Sequence, residues 1–441
     1  MTSIHQSAWY RNYVLGVLFL VYCLSFIDRQ IIAVLSPAIK ADLALNDTEL
    51  GALKGLAFAL FYAGMGIPLA IIGDRGSRVR LISICLALWS AMTVASGAAH
   101  SFIHLFLARM GIGIGEAGGV APAHSIISDY FRKDERARAL GLFSLGIPAG
   151  ILFGYLLGGW LATAYGWRLT FVIVGTPGLA MAFLLYLTVR EPERGATDER
   201  EGVEREEQLH WLTVIRSLWK IPTYRTVVYA GSLNAFCGYA LSNWLADFFV
   251  RTHDFTMRDL GAPLALVNGV GVGVGIYLGG VWADRYATKD GARYLSIPGT
   301  CFALAVPLLI CAFWVSSSLV SLVLLFIAFV LSYVSIAPLF TVLQLLAPVN
   351  SRALCAAYFL LWQNLLGAGL GPFVMGGASD LLHIYFDESG ALRIALTSLG
   401  LVTGIAAVVL LTKAKSARAD LGIGLKTKSA EPRIAALTSG E

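Results

Sequence analysis

Twelve stretches of about twenty mostly apolar residues follow one another through the chain, at 13–35, 51–72, 81–98, 103–127, 139–162, 170–189, 227–249, 261–282, 295–315, 319–343, 353–378 and 391–411. A helix rises 1.5 Å per residue, so about 20 apolar residues reach across the ~30 Å hydrocarbon layer of a bilayer. Within that layer no water satisfies backbone N–H and C=O groups, and a helix satisfies its own. The fold class that follows is an all-α polytopic membrane protein with twelve transmembrane helices. Composition agrees, since charged residues are 14% of the 441, against about 25% in soluble domains. The mean hydropathy is +0.71.

The loops give an orientation. With both ends on one side, the N-terminus, the even-numbered loops and the C-terminal tail hold 25 Lys and Arg, and the opposite loops hold six: Lys40, Lys54, Arg168, Arg251, Arg258 and Arg393. That asymmetry predicts cytoplasmic termini in a plasma (inner) membrane. The net charge of +5 is therefore a topology signal and no sign of a nucleic-acid partner. Cys23, Cys85, Cys237, Cys301, Cys311 and Cys355 all fall in apolar stretches, where they act as small hydrophobes rather than disulfide partners. No cleavable leader is expected, because the N-terminus runs into a segment too long for one. The sequon Asn46-Asp47-Thr48 is read as incidental.

The chain divides at one loop. Residues 191–223 hold the charged runs Asp198-Glu199-Arg200-Glu201 and Glu204-Arg205-Glu206-Glu207, then the amphipathic Trp211-Leu212-Thr213-Val214-Ile215. This reads as a solvated connector with an interfacial helix. It separates a six-span unit at 1–190 from a second at 224–414, followed by a polar tail at 415–441. Gly73-Asp74-Arg75 closes span 2, and Ala283-Asp284-Arg285 closes span 8. Paired six-span halves mark a transporter built from repeats, with its site near the midplane.

An acid and a base stand side by side in the first span, Asp28-Arg29. An ionised side chain at bilayer depth costs at least ~2.5–3.5 kcal/mol, so such residues are functional by default. Arg109 and Glu116 lie in span 4, seven residues apart and therefore on one face, about 10 Å apart along the axis. Asp28 and Arg29 point roughly 100° apart and cannot face the same partner. The expected arrangement sets Asp28 against Arg109, with Arg29 towards a cavity or Glu116. The plain alternative is a static salt-bridge knot. Burial favours the neutral carboxyl and a nearby arginine the charged one, so Asp28 and Glu116 are candidate proton carriers. Arginine does not deprotonate, so Arg29 and Arg109 suit an anionic substrate group.

The second half offers no charge at mid-membrane. Its polar groups are Asn234, Ser242, Asn243, Tyr333, Gln363 and Asn364, with Trp362 beside them. Asn234, Tyr333, Trp362 and Gln363 are the candidates for the substrate wall, with interhelical hydrogen bonding as the equal alternative. One charged wall and one apolar wall suit an amphiphile. Gly269, Gly271, Gly273, Gly275, Gly367, Gly371, Gly376 and Gly377 are read as close-packing or bending points, and Pro372 as a kink. His100 and His104 have no third ligand, so no metal is expected, and His124 sits low in span 4.

Gly73-Asp74-Arg75-Gly76-Ser77-Arg78-Val79-Arg80 resembles the loop 2–3 motif of the major facilitator superfamily. Gly141, Gly150, Gly154, Gly158 and Gly159 have the glycine spacing of that superfamily's antiporter motif, with Tyr155 where the motif has proline. Tyr165-Gly166-Trp167-Arg168 also fits. Asp28-Arg29, the run from Arg109 through Gly111, Gly113 and Gly115 to Glu116-Ala117, and Arg190-Glu191-Pro192-Glu193-Arg194-Gly195 resemble the spinster branch of lysolipid and sphingolipid transporters. The resemblance implies two pseudo-symmetric six-helix bundles working by alternating access. It also implies a cytoplasmic gate of Asp74, Arg75, Arg78, Asp129 and Arg138, with Asp74 as a buried-edge acid.

The expectation is a secondary transporter, proton-coupled, moving an amphipathic or lipid-like organic anion as a monomer without a cofactor. The alternative is a proton-coupled symporter of a small organic acid. An integral membrane enzyme is disfavoured: no Walker lysine motif, H-E-x-x-H or G-x-S-x-G occurs.

Overall fold

The computed structural model describes residues 7–194, 211–348 and 351–423, and these form helices without a strand. The charged runs at 198–207 and the tail beyond 423 lie outside the described residues. Nine helices among the described residues are long and apolar enough to cross a bilayer. One of them, Asp134–Thr188, is 55 residues long and is broken at Gly166, where φ is 74° and ψ 168°, so it holds spans 5 and 6. Gly166 tolerates this positive φ because it has no Cβ. Span 4 is made of Phe102–Ala117 and Val120–Tyr130, interrupted at Gly118 and Gly119. Span 7 is Pro222–His253, 32 residues long. With these the twelve stretches of the sequence are all accounted for.

The helices outrun the apolar stretches that announced them. Span 1 is Ala8–Leu43 and passes through Pro37; span 12 is Glu388–Leu421. Hydropathy marks only the part in hydrocarbon, and the helix continues until a cap stops it, here Ala44 in the left-handed region for span 1. Span 2 begins at Asp47, where Asn46 and Glu49 form a reciprocal capping box, so this Asn-Asp-Thr run starts a helix. The span breaks at Gly55 and resumes as Leu56–Arg75. Large apolar side chains such as Phe183 and Leu401, 66% and 70% exposed, cover outward faces as a lipid-facing surface requires. Cys311 also lies on an exposed face, unlike the other five cysteines, which are buried.

The chain clusters into two compact units. The described residues of Met1–Val203, Asn243–Gly269 and Pro372–Asp380 form one, and those of Glu204–Ser242, Val270–Gly371 and Leu381–Glu441 the other. In the first, Gly146, Gly150, Gly154 and Gly158 of span 5 lie directly on span 1, against Phe19, Cys23, Ile27 and Ile31. A Cβ at Gly150 would meet the Cys23 carbonyl oxygen at 2.5 Å, so only glycine permits this approach. Gly113 of span 4 meets the Phe58 backbone of span 2, and Gly115 meets Cys85 and Trp89 of span 3. These contacts fix the rotation of spans 1 and 4.

The second unit is built on one apolar cluster that includes Val214, Leu218, Tyr224, Phe302, Leu343, Phe359 and Leu410. The expected amphipathic helix is present as Trp211–Trp219 and packs into this cluster through Val214 and Leu218. Gly275 and Gly279 of span 8 lie against the Val330 and Val334 carbonyls of span 10. Leu266–Gly271 and Gln363–Leu370 are π-helical, so the glycine-rich parts of spans 8 and 11 are where those helices change pitch.

Candidate functional site

Glycine contacts on spans 4 and 5 present Arg29 and Glu116 to one another. Arg29 Nε donates to Glu116 Oε2 at 2.7 Å, and Ser25 Oγ donates to the same oxygen at 2.8 Å. The Glu116 side chain is 1% exposed and that of Arg29 13%. The Arg29 guanidinium also sits between the rings of Phe26, Phe58 and Tyr62, at 5.0, 4.8 and 4.9 Å from their centroids. Aromatic faces stabilise a desolvated cation by about 2 kcal/mol or more, and a guanidinium stacks better than an ammonium. Glu116 Oε1 is buried and has no hydrogen-bond partner among the described residues. Of the two partners expected for Arg29, the structure selects Glu116.

Asp28 is placed differently from the expectation. It is buried and accepts a hydrogen bond from Thr93 Oγ1 of span 3 at 3.2 Å, and among the described residues it is not within ion-pair distance of Arg109. Arg109, also buried, donates from Nε to the Leu53 carbonyl at 3.3 Å and lies 5.3 Å from the Phe58 centroid. Sharing a depth layer did not suffice to pair them. The break at Gly55 leaves the last carbonyls of Asp47–Lys54 without helical partners, and a cation is drawn to that negative helix end. Arg109 Nη1 has no hydrogen-bond partner among the described residues. One buried layer thus holds two acids and two arginines, one pair closed and two polar atoms open.

At the end where the chain enters span 1, the residues of the expected gate separate into two groups. Arg78 is buried and central: Nη1 meets Asp129 Oδ2 at 2.5 Å and Ser125 Oγ at 2.6 Å, and Nε meets Glu191 Oε1 at 2.7 Å. Glu191 also accepts from Ser77 Oγ at 2.8 Å and Val79 N at 2.9 Å, capping the start of span 3. Burial alone would raise the Glu191 carboxyl, but the Val79 N–H, the Arg78 guanidinium and the Ser77 hydroxyl outweigh it and hold the carboxyl below its ordinary range. Arg194 donates to the carbonyls of Gly73 at 2.7 Å, Gly76 at 2.9 Å and Asp74, closing the end of span 2. Asp74 is exposed and not a buried-edge acid; it contributes a backbone carbonyl here, because Arg194 from the strap after span 6 occupies that helix end. Arg75 and Arg138 are likewise exposed, and among the described residues neither they nor Asp74 form an ion pair. Glu191 and Arg194 belong to a run that marked the resemblance, yet sequence gave them no partner.

In the second unit, one face of span 7, made of Gly231, Asn234 and Gly238, gathers the polar candidates. Asn234 Nδ2 donates to Ser335 Oγ at 3.3 Å, the Tyr333 hydroxyl lies beside Gly238, and the Gln363 amide lies beside Gly231. Trp362, next along span 11, packs edge-on to Tyr358 at 6.3 Å, and its buried Nε1 has no hydrogen-bond partner among the described residues.

A third set escaped sequence reasoning. Lys54, counted among the outer loops, is fully buried and pairs with Asp247 at 2.5 Å, so span 7 does carry a buried acid near its end. Asp47 receives Lys40 at 2.7 Å and a two-pronged bond from Arg251, both prongs at 2.7 Å. The capping box was the available signal: it places Lys54 at the end of an eight-residue helix rather than in a loop. His100 and His104 remain a local pair, with His100 N donating to His104 Nδ1 at 3.4 Å.

Comparison with known proteins places this geometry in context. The family described as Major Facilitator Superfamily matches residues 18–372. An MFS-type efflux pump of Mycolicibacterium smegmatis is 32% identical over 391 residues, covering 88% of this chain and 89% of its own. Protein spinster homolog 1 of Homo sapiens is 25% identical over 441 residues, covering 92% of this chain and 81% of the human one. A solved structure of a bacterial homolog to the human lysosomal transporter Spinster, inward-facing and unoccupied, matches with a TM-score of 0.85 at 32% identity, covering 93% of this chain and 98% of that one.

Proposed function

Because this chain belongs to the Major Facilitator Superfamily and resembles its spinster members, we propose that it is a proton-coupled secondary transporter of an amphipathic organic anion. The observation that carries this reading is the buried Arg29–Glu116 pair, in which Glu116 keeps one oxygen without a hydrogen-bond partner among the described residues. A substrate anion and the Glu116 carboxylate compete for one guanidinium. Protonating Glu116 releases Arg29 to a phosphate or carboxylate, and losing that proton restores the pair and expels the anion. Asp28 is the second proton carrier, positioned by Thr93, and Arg109 the second cation of the layer. Arginine supplies the permanent charge because it does not deprotonate.

Aromatic rings around Arg29 support an amphiphile, since they give an alkyl segment an apolar surface beside the charged one. Asn234, Tyr333, Trp362 and Gln363 are assigned to further contacts with the substrate. Asp74, Arg75, Arg78, Asp129 and Arg138, with Glu191 added, form the cytoplasmic gate, and the protein works as a monomer in the plasma membrane with both termini inside. The test is a screen of lysolipids and small organic acids in proteoliposomes, with and without a pH gradient. Saturable gradient-driven uptake of a lysolipid supports the reading; uptake of small acids alone moves it to the symporter of a small organic acid.

A further inference from the structure

Both hydrogen bonds that Glu116 accepts through its side chain end on one oxygen. Oε2 accepts from Arg29 Nε at 2.7 Å and from Ser25 Oγ at 2.8 Å, whereas Oε1 is buried with no hydrogen-bond partner among the described residues. Trp89 of span 3 is 1% exposed, and its Nε1 is likewise buried without a partner among them. The indole N–H only donates and a carboxylate oxygen only accepts, so the two orphans are complementary. Both residues line one narrow crevice, together with Ser25 of span 1 and Gly119 and Ala123 of span 4. Span 4 holds the indole there through its glycines. A Cβ at Gly115 would strike the Trp89 Cβ at 2.8 Å, and one at Gly119 would lie 3.7 Å from ring atom Cζ3.

The crevice has a direction. It is lined on span 1 from Leu18 to Ser25 and on span 4 from Glu116 to Ala123. At 1.5 Å per residue that is a length of about 10 Å. Ser25 and Glu116 stand at one end. Towards the other, Tyr22 and Phe143 stack face to face at 4.5 Å, and the exposed His124 meets Phe143 edge-on at 5.3 Å. That second end leads towards the N-terminus of span 1. The crevice offers about 10 Å³ to the centres of water molecules, room for about one. A buried water needs about two to four polar partners, and Trp89 Nε1, Glu116 Oε1 and Ser25 Oγ supply them.

We infer that one water, held between Trp89 Nε1 and Glu116 Oε1, is the group through which Glu116 exchanges its proton, and that the crevice is the proton's route towards the N-terminal end of span 1. This deepens the proposed function and rests on its assignment of Glu116 as a proton carrier. The carboxylate then has two working oxygens, Oε2 answering to Arg29 and Oε1 to water. On uptake an Oε1–H bond forms as an O–H bond of the water breaks, and that water regains a proton from the next water along the crevice. Release runs the same transfers backwards. Trp89 is a positioning residue, which holds the water and exchanges no proton. The charged groups around Glu116 are Arg29 and Asp28 of span 1 and Arg109 of its own span. Span 3 brings Trp89, Thr93 and the thiol of Cys85, and His124 is the titratable group at the far end.

The probe is D2O, and the readout is the carbonyl stretch of protonated Glu116. It is taken from infrared difference spectra between neutral and acidic pH, on the full chain in liposomes, and assigned by its loss in Glu116→Gln. Trp89→Phe keeps a ring and removes the N–H, so the band is expected to move to higher wavenumber as its hydrogen bonding weakens. Gly119→Ala adds a methyl group to the crevice wall with no contact closer than 3.4 Å, so the fold is kept. The deuterium shift of the band is expected to slow several-fold in it. A band unmoved by Trp89→Phe, or exchange in Gly119→Ala as fast as in the parent, overturns the water route. Should Trp89→Phe not fold, the exchange rate of Gly119→Ala decides by itself. A parent spectrum with no band that depends on Glu116 overturns the proton-carrier reading and the route with it, so the two failures are told apart.

Discussion

Arg29 of span 1 and Glu116 of span 4 meet at 2.7 Å with the carboxylate almost wholly buried, while Asp28, the sequence neighbour of Arg29, turns to Thr93 of span 3. The two acids are thus held by different chemistry, Glu116 by the Arg29 charge together with the Ser25 hydroxyl and Asp28 by the Thr93 hydroxyl. In the proposed cycle Glu116 answers to the substrate, through Arg29, and Asp28 answers to the surrounding structure.

Glu116→Gln removes the competitor for Arg29 but keeps its shape. Hydrogen bonds to charged groups contribute about 1.5–3 kcal/mol, so gradient-driven uptake should fall ~10-fold or more. Anion binding should persist, because Arg29 no longer faces a competing carboxylate. Binding measured by calorimetry beside uptake checks the split, and loss of both together contradicts it.

Arg29→Lys keeps the charge and loses the planar group stacked among Phe26, Phe58 and Tyr62. Since the stacked and forked contacts of arginine are not available to an ammonium, KM should rise several-fold with kcat changed less. A KM equal to that of the parent would show that the guanidinium geometry is not used.

Acid should loosen the clasp at Arg78. Glu191 is held below its ordinary carboxylate range, against the effect of its burial, by Val79 N–H, Arg78 and Ser77. A carboxyl depressed in the folded state stabilises fully above its unfolded value, ~4.3, and loses that contribution as pH falls through the folded one. The difference in thermal midpoint between the parent and Glu191→Gln should therefore be constant near neutrality and shrink below about pH 4. A difference independent of pH down to the acid limit contradicts this role.

Gly376→Ala places a methyl group on the Asp47 carbonyl. The obstacle is backbone and cannot swing aside, so the substitution should cost about 1–3 kcal/mol as an overpacked contact. Gly64→Ala, with open space around its Cβ, is the control and should be near neutral in a thermal unfolding series.

Much of the architecture was legible because bilayer physics leaves few choices. All twelve stretches fall on helices, and the glycine spacing of span 5 appears as the surface that lies on span 1. Arg29 was expected to turn towards a cavity or Glu116, and it meets Glu116. Depth along a span does not fix direction around it. Arg109 turned to the Leu53 carbonyl because Gly55 breaks span 2, a break that hydropathy does not register. Lys54 was read as a loop residue for the same reason, since a lysine at the end of an apolar stretch looks solvated until a distant aspartate is packed against it. Asp74 was assigned a role that the strap through Glu191 and Arg194 has partly taken over.

In the proposed cycle, proton movement and anion movement share Asp28 and Glu116. Its most direct test is simultaneous recording of lysolipid uptake and internal pH in proteoliposomes holding the parent protein, Asp28→Asn or Glu116→Gln. Uptake with accompanying proton flux, driven by the pH gradient, is expected in the parent, and loss of that gradient dependence in both variants. Uptake of equal rate with and without the gradient, or unchanged coupling in both variants, would contradict it.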